Sequence, residues 1–343
     1  MAVTSERGGG TGGTCPACGG RDLATVLEVG SAEAAQHFVL AEADPGRHEQ
    51  LERHIRKLWG GERCRVLRCR TCGFGHAEPF VGGDATFYGL AYQRTHYPAD
   101  KWEHRITLEA LAPGDDRPRT LLEVGAGDGA FLRRLPKSAF RPEDVFATEY
   151  SEYGRGTIRD LGIRCEAVDV RELPAEHDGR YDVLCLFQVL EHLDRPDAVL
   201  ERLAAVARAG SSLFVGVPGD RRVDFFERHG ALLDMPPNHL TRWTREALRL
   251  FGARHGWNLV DHRVEVEPIL PLARRFLSYR YQRAAQRPGS LANRIRAMGA
   301  SPARLALDAA WVALTLPGAA PALVRLRRDA GGDSQWARFE REG

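Results

Sequence analysis

The stretch Leu121-Leu-Glu-Val-Gly-Ala-Gly-Asp-Gly129 narrows the fold more than any other part of this 343-residue chain. Leu121, Leu122 and Val124 read as a strand buried on both faces, as in a parallel sheet covered by helices. The strand breaks into a glycine-rich turn, with Glu123 two residues before the first glycine. Glycines at such a turn let the backbone approach a ligand closely. The carboxyl edge of an open α/β sheet is where such ligands sit.

Strand and helix patterns alternate after Arg119, the mark of a parallel α/β sheet. Strands are expected at 119–124, 145–149, 163–168, 181–187, 211–217 and 257–266, with a seventh at 334–341. Helices are expected from Gly129, after the cap Ser151, over 196–209 and after the cap Thr244. Residues 1–14 read as a disordered tail and 15–80 as a cysteine-bounded module. Residues 81–118 read as an aromatic, helical connector. The sheet domain covers 119–267 and 331–343, and 268–330 is a helical insertion before the last strand. Formal net charge is +2, which gives no global field for nucleic acid. The first residues lack the basic start and apolar run of a signal peptide, so a cytoplasmic protein is expected.

The glycine loop alone admits two ligand classes. Gly125, Gly127 and Ala130 satisfy the dinucleotide fingerprint as well as a methyl-donor loop. Glu149 ends the second strand, where a carboxylate can accept from both hydroxyls of a ribose; a solvated strand-end charge is the plainer alternative. Tyr150 beside it is placed to lie against adenine. Asp169, with Val170, follows the third strand and suits either an adenine amino group or a turn cap. The fourth strand runs into Phe187-Gln-Val-Leu-Glu-His-Leu193.

With that segment the sequence resembles the class I S-adenosylmethionine (SAM)-dependent methyltransferases over about residues 119–267. The resemblance implies a Rossmann-like seven-stranded sheet ending on an antiparallel strand. It implies that Glu123, Gly125, Gly127 and Gly129 cradle the methionine part of SAM. It gives Glu149 to the ribose, Asp169 to adenine, and the segment from Phe187 and Gln188 to the donor pocket.

Cys15-Pro-Ala-Cys18 and Cys69-Arg-Thr-Cys72 are two knuckles, each followed by glycine. Four thiolates on two tight turns suit a structural, tetrahedral zinc ion. Cys64 is an alternative ligand or a spare thiol, and a redox Cys-x-x-Cys is a further alternative. The module and domain together resemble sugar and natural-product methyltransferases, but the chain is too short for the further C-terminal domain of the sugar C-methyltransferases. A small-molecule acceptor is expected, including a nucleotide-linked or lipid-linked sugar, with O-methylation ahead of C-methylation.

Methyl transfer needs in-line alignment, and a poor nucleophile also needs a base. His239, in Met235-Pro-Pro-Asn-His-Leu-Thr-Arg-Trp243, is the first candidate, with a loop-fixing histidine as the plainer reading. His192, beside Glu191, is the second. Some relatives hold a divalent metal with Glu-x-x-Glu-His; Gln188 occupies the first position here, so no catalytic metal is expected. Tyr92, Tyr97 and Trp102 are candidates to close over the site or simply to pack.

The arginine run from Arg274 to Arg304 is a solvated face or a grip for an anionic acceptor. The apolar tract 305–324 is long enough to mimic a membrane span, but Pro317 and Pro321 interrupt it and the last strand must return to the sheet. Core or lid packing is expected there, with peripheral membrane contact as the alternative. A nicotinamide-dependent oxidoreductase and a non-catalytic zinc-module scaffold are the other functional classes. Oligomeric state is left open.

Overall fold

The computed structural model describes residues 13–92, 100–111 and 118–342; Tyr97 lies outside them. The chain opens with β1 (Leu23–Gly30), α1 (Ser31–Phe38), α2 (Pro45–Trp59), β2 (Arg63–Cys69) and β3 (Gly75–Glu78). Local signals set the ends of α2. Asp44 accepts from Arg47 N at 3.1 Å, Pro45 starts the helix, and Gly60 closes it at φ 62°, an ordinary N-cap, N1 and C-terminal pattern. Leu51, Ile55 and Trp59 recur every fourth residue and form its buried stripe. Two helices follow: α3 (Ala85–Ala91), capped by Asp84, and α4 (Trp102–Ala110).

The main domain runs β4 (Leu121–Val124), β5 (Val145–Thr148), α5 (Glu152–Arg159), β6 (Arg164–Glu166), β7 (Tyr181–Phe187), α6 (Pro196–Val206) and β8 (Ala207–Pro218). It continues through α7 (Asp220–Arg228), β9 (Thr241–Arg242), α8 (Arg245–Arg254) and β10 (Trp257–Val264). Then come α9 (Ile269–Ala285), α10 (Leu291–Ala297), α11 (Pro302–Ala330) and β11 (Ser334–Arg341). The seven-stranded sheet has the order β10-β11-β8-β7-β4-β5-β6. β4 to β8 pair in parallel, and β11 inserts antiparallel between β8 and β10. Chain direction across the sheet reverses between β4 and β7, so the ligand crevice lies at their carboxyl ends.

Side chains alternate across a strand. Leu122 and Val124 join one core with Leu184, Leu186, Val215 and the α6 leucines. Leu121 faces the other core with Phe131, Val183, Phe187 and Trp336, and Glu123 shares that face. The first core also contains Cys15, Cys69, Cys72 and Phe74. The N-terminal unit thus shares a core with the domain, and β9 completes its sheet in the order β1-β2-β3-β9.

Two expectations need correction. The helix expected from Gly129 is only a 3-10 turn at Leu132–Arg134. Pro136 follows at once, and a proline disfavours the helical region for the residue before it. Residues 305–324 are not interrupted: α11 runs unbroken through Pro317 and Pro321. Nor do they form a packed core, since Leu305, Leu314 and Val324 are 71%, 78% and 86% exposed. The expected return of the last strand is seen, as β11 pairs with both β8 and β10.

Candidate active site

The glycine loop leaves β4 at the switch point. Gly125, Gly127 and Gly129 have φ of 68°, 59° and 78°, a region that costs L-residues about 1–2 kcal/mol. A Cβ on Gly125 would also stand 2.6 Å from Val189 Cγ2, so sterics and torsion both demand glycine there. The loop is pinned to the end of β5. Gly125 N donates to Thr148 O at 2.9 Å, and Gly127 N donates to Glu149 Oε2 at 2.9 Å. Ser151 N donates to Glu149 Oε1 at 2.7 Å. Each carboxylate oxygen retains a second lone pair, which leaves Glu149 able to accept from a ribose diol.

Glu123 is buried beneath this loop, and its Oε2 has no hydrogen-bond partner among the described residues. Burial, reinforced by Glu149 and Asp128 and opposed by Lys101, pushes its carboxyl up to about 8. A buried, unpaired acid at a glycine cradle fits a cationic ligand, and SAM carries both a sulfonium and an ammonium. Donor binding should therefore expel a proton from Glu123. The affinity for S-adenosylhomocysteine, which keeps the ammonium, should rise by up to about tenfold per pH unit toward pH 8 and then level. Calorimetry in buffers of different ionisation enthalpy would read the released proton. Glu123→Gln should weaken binding and flatten the profile; a pH-independent wild-type affinity would contradict this role. The stability sign follows from the same shift. The folded pKa exceeds the ordinary glutamate value, so stability present at acid pH is lost as pH rises through about 8.

The remaining donor-side residues are placed as follows. Tyr150 is 68% exposed beside Glu149. Asp169 takes the capping role: its Oδ1 accepts from Arg171 N at 2.9 Å, and its carboxylate pairs with the Arg171 guanidinium at 2.9 and 2.6 Å. Val170 is buried, and Phe187 packs between Phe131 and His104. Gln188 has φ 58°, the one positive value at a non-glycine among the described residues, and such strain collects at ligand sites. Its amide donates to Glu103 Oε1 and Ser334 Oγ, each at 3.2 Å.

The two histidines meet just beyond Gln188. Their rings cross at 4.6 Å between centroids. His192 Nδ1 lies 2.6 Å from the Asn238 carbonyl. A carbonyl only accepts, so Nδ1 carries the hydrogen. Burial, with His239 adding to it, pushes His192 down to about 3, which makes it a weak base. His239 is held differently. Its Nδ1 lies 3.0 Å from Asp234 Oδ1, which turns Nε2 into the lone-pair nitrogen.

Arg222 grips both oxygens of Asp234 at 2.7 and 3.1 Å. Burial acts to raise the Asp234 carboxyl, but Arg222 and His239 outweigh it and hold the group well below the usual carboxylate range. The arrangement orients an imidazole, as the acid does in a catalytic triad. Sequence reasoning missed Asp234 and Arg222. Asp234 was within reach, five residues before His239 in the same segment; Arg222 carries no local signal. Tyr92, one of the candidate closing aromatics, donates to Asn238 Oδ1 at 3.3 Å.

Glu191 is also buried here, with neither carboxylate oxygen partnered among the described residues, and burial pushes it up to about 7. Glu191, His192 and His239 offer ligand atoms within 4.8 Å of one another. His239 supplies a third donor that the Gln188 argument against a metal did not count.

The four cysteines converge elsewhere. Cys15 and Cys72 Sγ are 3.7 Å apart, and Cys18 and Cys69 Sγ are 3.6 Å apart. A zinc–sulfur bond near 2.3 Å in a tetrahedron places sulfurs about 3.8 Å apart. The knuckles repeat one geometry: Gly19 and Gly73 share φ 75°, and each donates its N–H to the first cysteine of its pair at 2.8 Å. Cys64 is not part of the cluster. It is buried in β2 with Val29, Ile55 and Trp59. The cluster also touches the histidine segment. Thr244 Oγ1 donates to Cys72 O at 2.6 Å, and β3 pairs with β9 two residues past His239.

Residues 92–262 match the family model described as a methyltransferase domain, in accord with the strand order and the glycine loop. The match spans just under half of the chain, and this stretch resembles a methyltransferase domain. It is similar to the ubiquinone biosynthesis O-methyltransferase of Bordetella avium, 29% identical over 113 residues, covering 31% of this chain and 45% of that protein. The Bordetella parapertussis protein of the same name is 30% identical over 99 residues, covering 28% and 41%. The chain thus spans less than half the length of these curated relatives. Among solved structures, an S-adenosylmethionine-dependent methyltransferase from Mesorhizobium loti superposes with TM-score 0.45 at 11% identity, covering 71% of this chain and 100% of that one.

Proposed function

We propose that the chain transfers a methyl group from SAM to a hydroxyl of a small molecule, a sugar or other natural-product intermediate, with His239 as the general base. The observation that carries this reading is the Asp234–His239 pair, 3.0 Å apart, beside the segment that follows β7. Bound SAM supplies an activated methyl on sulfonium. The chain's own part is to hold the donor on Glu123, Glu149 and the glycine loop, and to take the acceptor's proton at His239 Nε2 while Asp234 balances the new charge. The names of the Bordetella relatives support O-methylation over the C-methylation alternative.

A cavity of about 460 Å³ lies between α1 and α9, lined by Glu33, Gln36, His48, Arg283, Gln286 and Arg287. Its size suits a small-molecule ligand, and its two arginines suit an anionic group such as a sugar-linked diphosphate. The four cysteines hold a structural zinc ion in this reading, which keeps the segment after His239 in register.

The test is transfer of labelled methyl from SAM to three acceptor sets: nucleotide-linked sugars, neutral glycosides and phenols. Label in an ether on one set supports the reading. Label on carbon moves it to C-methylation. No transfer to any hydroxyl acceptor, with donor bound, overturns it.

The orphaned Glu191 carboxylate favours a second reading, in which Glu191, His192 and His239 hold a divalent cation that acidifies the acceptor hydroxyl. Both imidazoles have the other ring nitrogen fixed by an oxygen, as metal-bound histidines do. Activity that dies with a chelator which leaves the cysteine-bound zinc in place, and returns with Mn²⁺, selects this reading; activity indifferent to that chelation selects the base.

A further inference from the structure

The N-terminal half of helix α11 is built inside out. The positions it turns toward α9 and α10 include Arg304 and Asp308: Arg304 donates to Met298 O at 3.1 Å and pairs with Asp308 at 3.7 Å. Tyr281 of α9 packs edge-on against Trp311 at 5.2 Å. The opposite side carries Leu305, Leu307, Leu314, Leu316 and Val324, all exposed. From Leu305 to Val324 no exposed residue bears a charge. At 1.5 Å per residue that apolar side is about 30 Å long, far beyond the scattered apolar residues of an ordinary surface. By length and composition Pro302–Leu326 passes as a membrane-crossing helix, and only 6% of its apolar window is buried.

The charge around this face selects its partner. Residues 268–328 hold eleven arginines and one acid, whereas the rest of the chain holds 37 basic and 45 acidic residues. Arg274, Arg287, Arg294, Arg325 and Arg328 of this segment are exposed. A long apolar face continued by exposed Arg325 and Arg328 on the same helix, in so basic a segment, is complementary to an anionic bilayer: headgroups meet the arginines and acyl chains meet the leucines. A nucleic acid would use the arginines and leave the leucines in water. The helix cannot cross the bilayer, because its C-terminal half packs on α7 and α9 through Ala319, Leu326 and Ala330, and the chain returns three residues later into β11.

We infer that α11, with Arg325 and Arg328 at the end of its exposed side, docks this enzyme flat onto a membrane surface rich in anionic phospholipid. Lying in the interface, it keeps the soluble sheet domain at the lipid boundary.

The full chain should be sedimented with vesicles of pure phosphatidylcholine and of phosphatidylcholine with phosphatidylglycerol. Wild type should bind the anionic vesicles at low salt and far less to the neutral ones. Leu305→Asp with Leu314→Asp should cut binding about tenfold or more, and Arg325→Glu with Arg328→Glu should remove the preference for anionic lipid. S-adenosylhomocysteine affinity serves as the folding control, since none of these residues lies at the donor edge. No binding to either vesicle by folded wild type would overturn the inference. So would a dimer in solution that Leu314→Asp splits, or binding to RNA that the leucine changes leave intact.

Discussion

His239→Ala should lower kcat by ~10²–10⁴-fold, the usual range for a lost general base, and leave donor affinity within about twofold of wild type. Among the described residues the glycine loop is held by Thr148 and Glu149, whereas His239 is held by Asp234 and lies against His192. Asp234→Asn should reproduce part of the loss. It keeps the shape and removes the charge that orients Nδ1–H and balances a protonated ring. Asp234 is buried and gripped by Arg222, and removing one partner of a buried pair costs about 3–5 kcal/mol. A melting curve must therefore accompany the kinetics. Folded Asp234→Asn with lowered kcat and unchanged donor affinity marks a positioning residue. Equal activity of wild type and His239→Ala would contradict the assignment.

Cys69→Ser should release bound zinc and lower Tm by on the order of 10 °C, because a lost structural metal removes folding energy directly. The effect should reach the main domain. Cys15, Cys69 and Cys72 share a core with the sheet through Phe74 and Trp243, whose rings are 4.6 Å apart. Thr244 hangs on the Cys72 carbonyl, so kcat should fall as well, by way of the loop that carries His239. Metal analysis should return one zinc per chain for wild type and for Cys64→Ser, since Cys64 lies in a different core. Retained zinc and unchanged Tm in Cys69→Ser would refute the site.

The sheet was legible because buried parallel strands are short apolar runs, as at β7, while the antiparallel β11 appears where residues alternate. Helix caps were equally plain: Thr244 accepts from Ala247 N at 3.1 Å, as a threonine before an apolar repeat should. Strand order was less accessible, since parallel pairing joins residues far apart in sequence. β9 has two residues and exists only because β3 offers it an edge. The glycine loop and the paired cysteines were readable because torsion and ligand geometry restrict residue type directly. The Asp234–Arg222 grip was not, because a buried ion pair has no local pattern. Helix α11 misled for a physical reason. Composition does not distinguish a helix buried in a core from one with its apolar side outward, and a proline's lost hydrogen bond weakens a long helix without having to end it.

The most direct measurement is calorimetric titration of the zinc-loaded protein with S-adenosylhomocysteine, in wild type and in Glu149→Ala. Glu149 both anchors Gly127 and faces the donor edge, and a charged hydrogen bond contributes about 1.5–3 kcal/mol. Wild type should bind saturably in the micromolar range, and the variant ~10²-fold or more weakly. Folded wild type that binds no S-adenosylhomocysteine, or binds a nicotinamide dinucleotide in its place, would overturn the donor assignment.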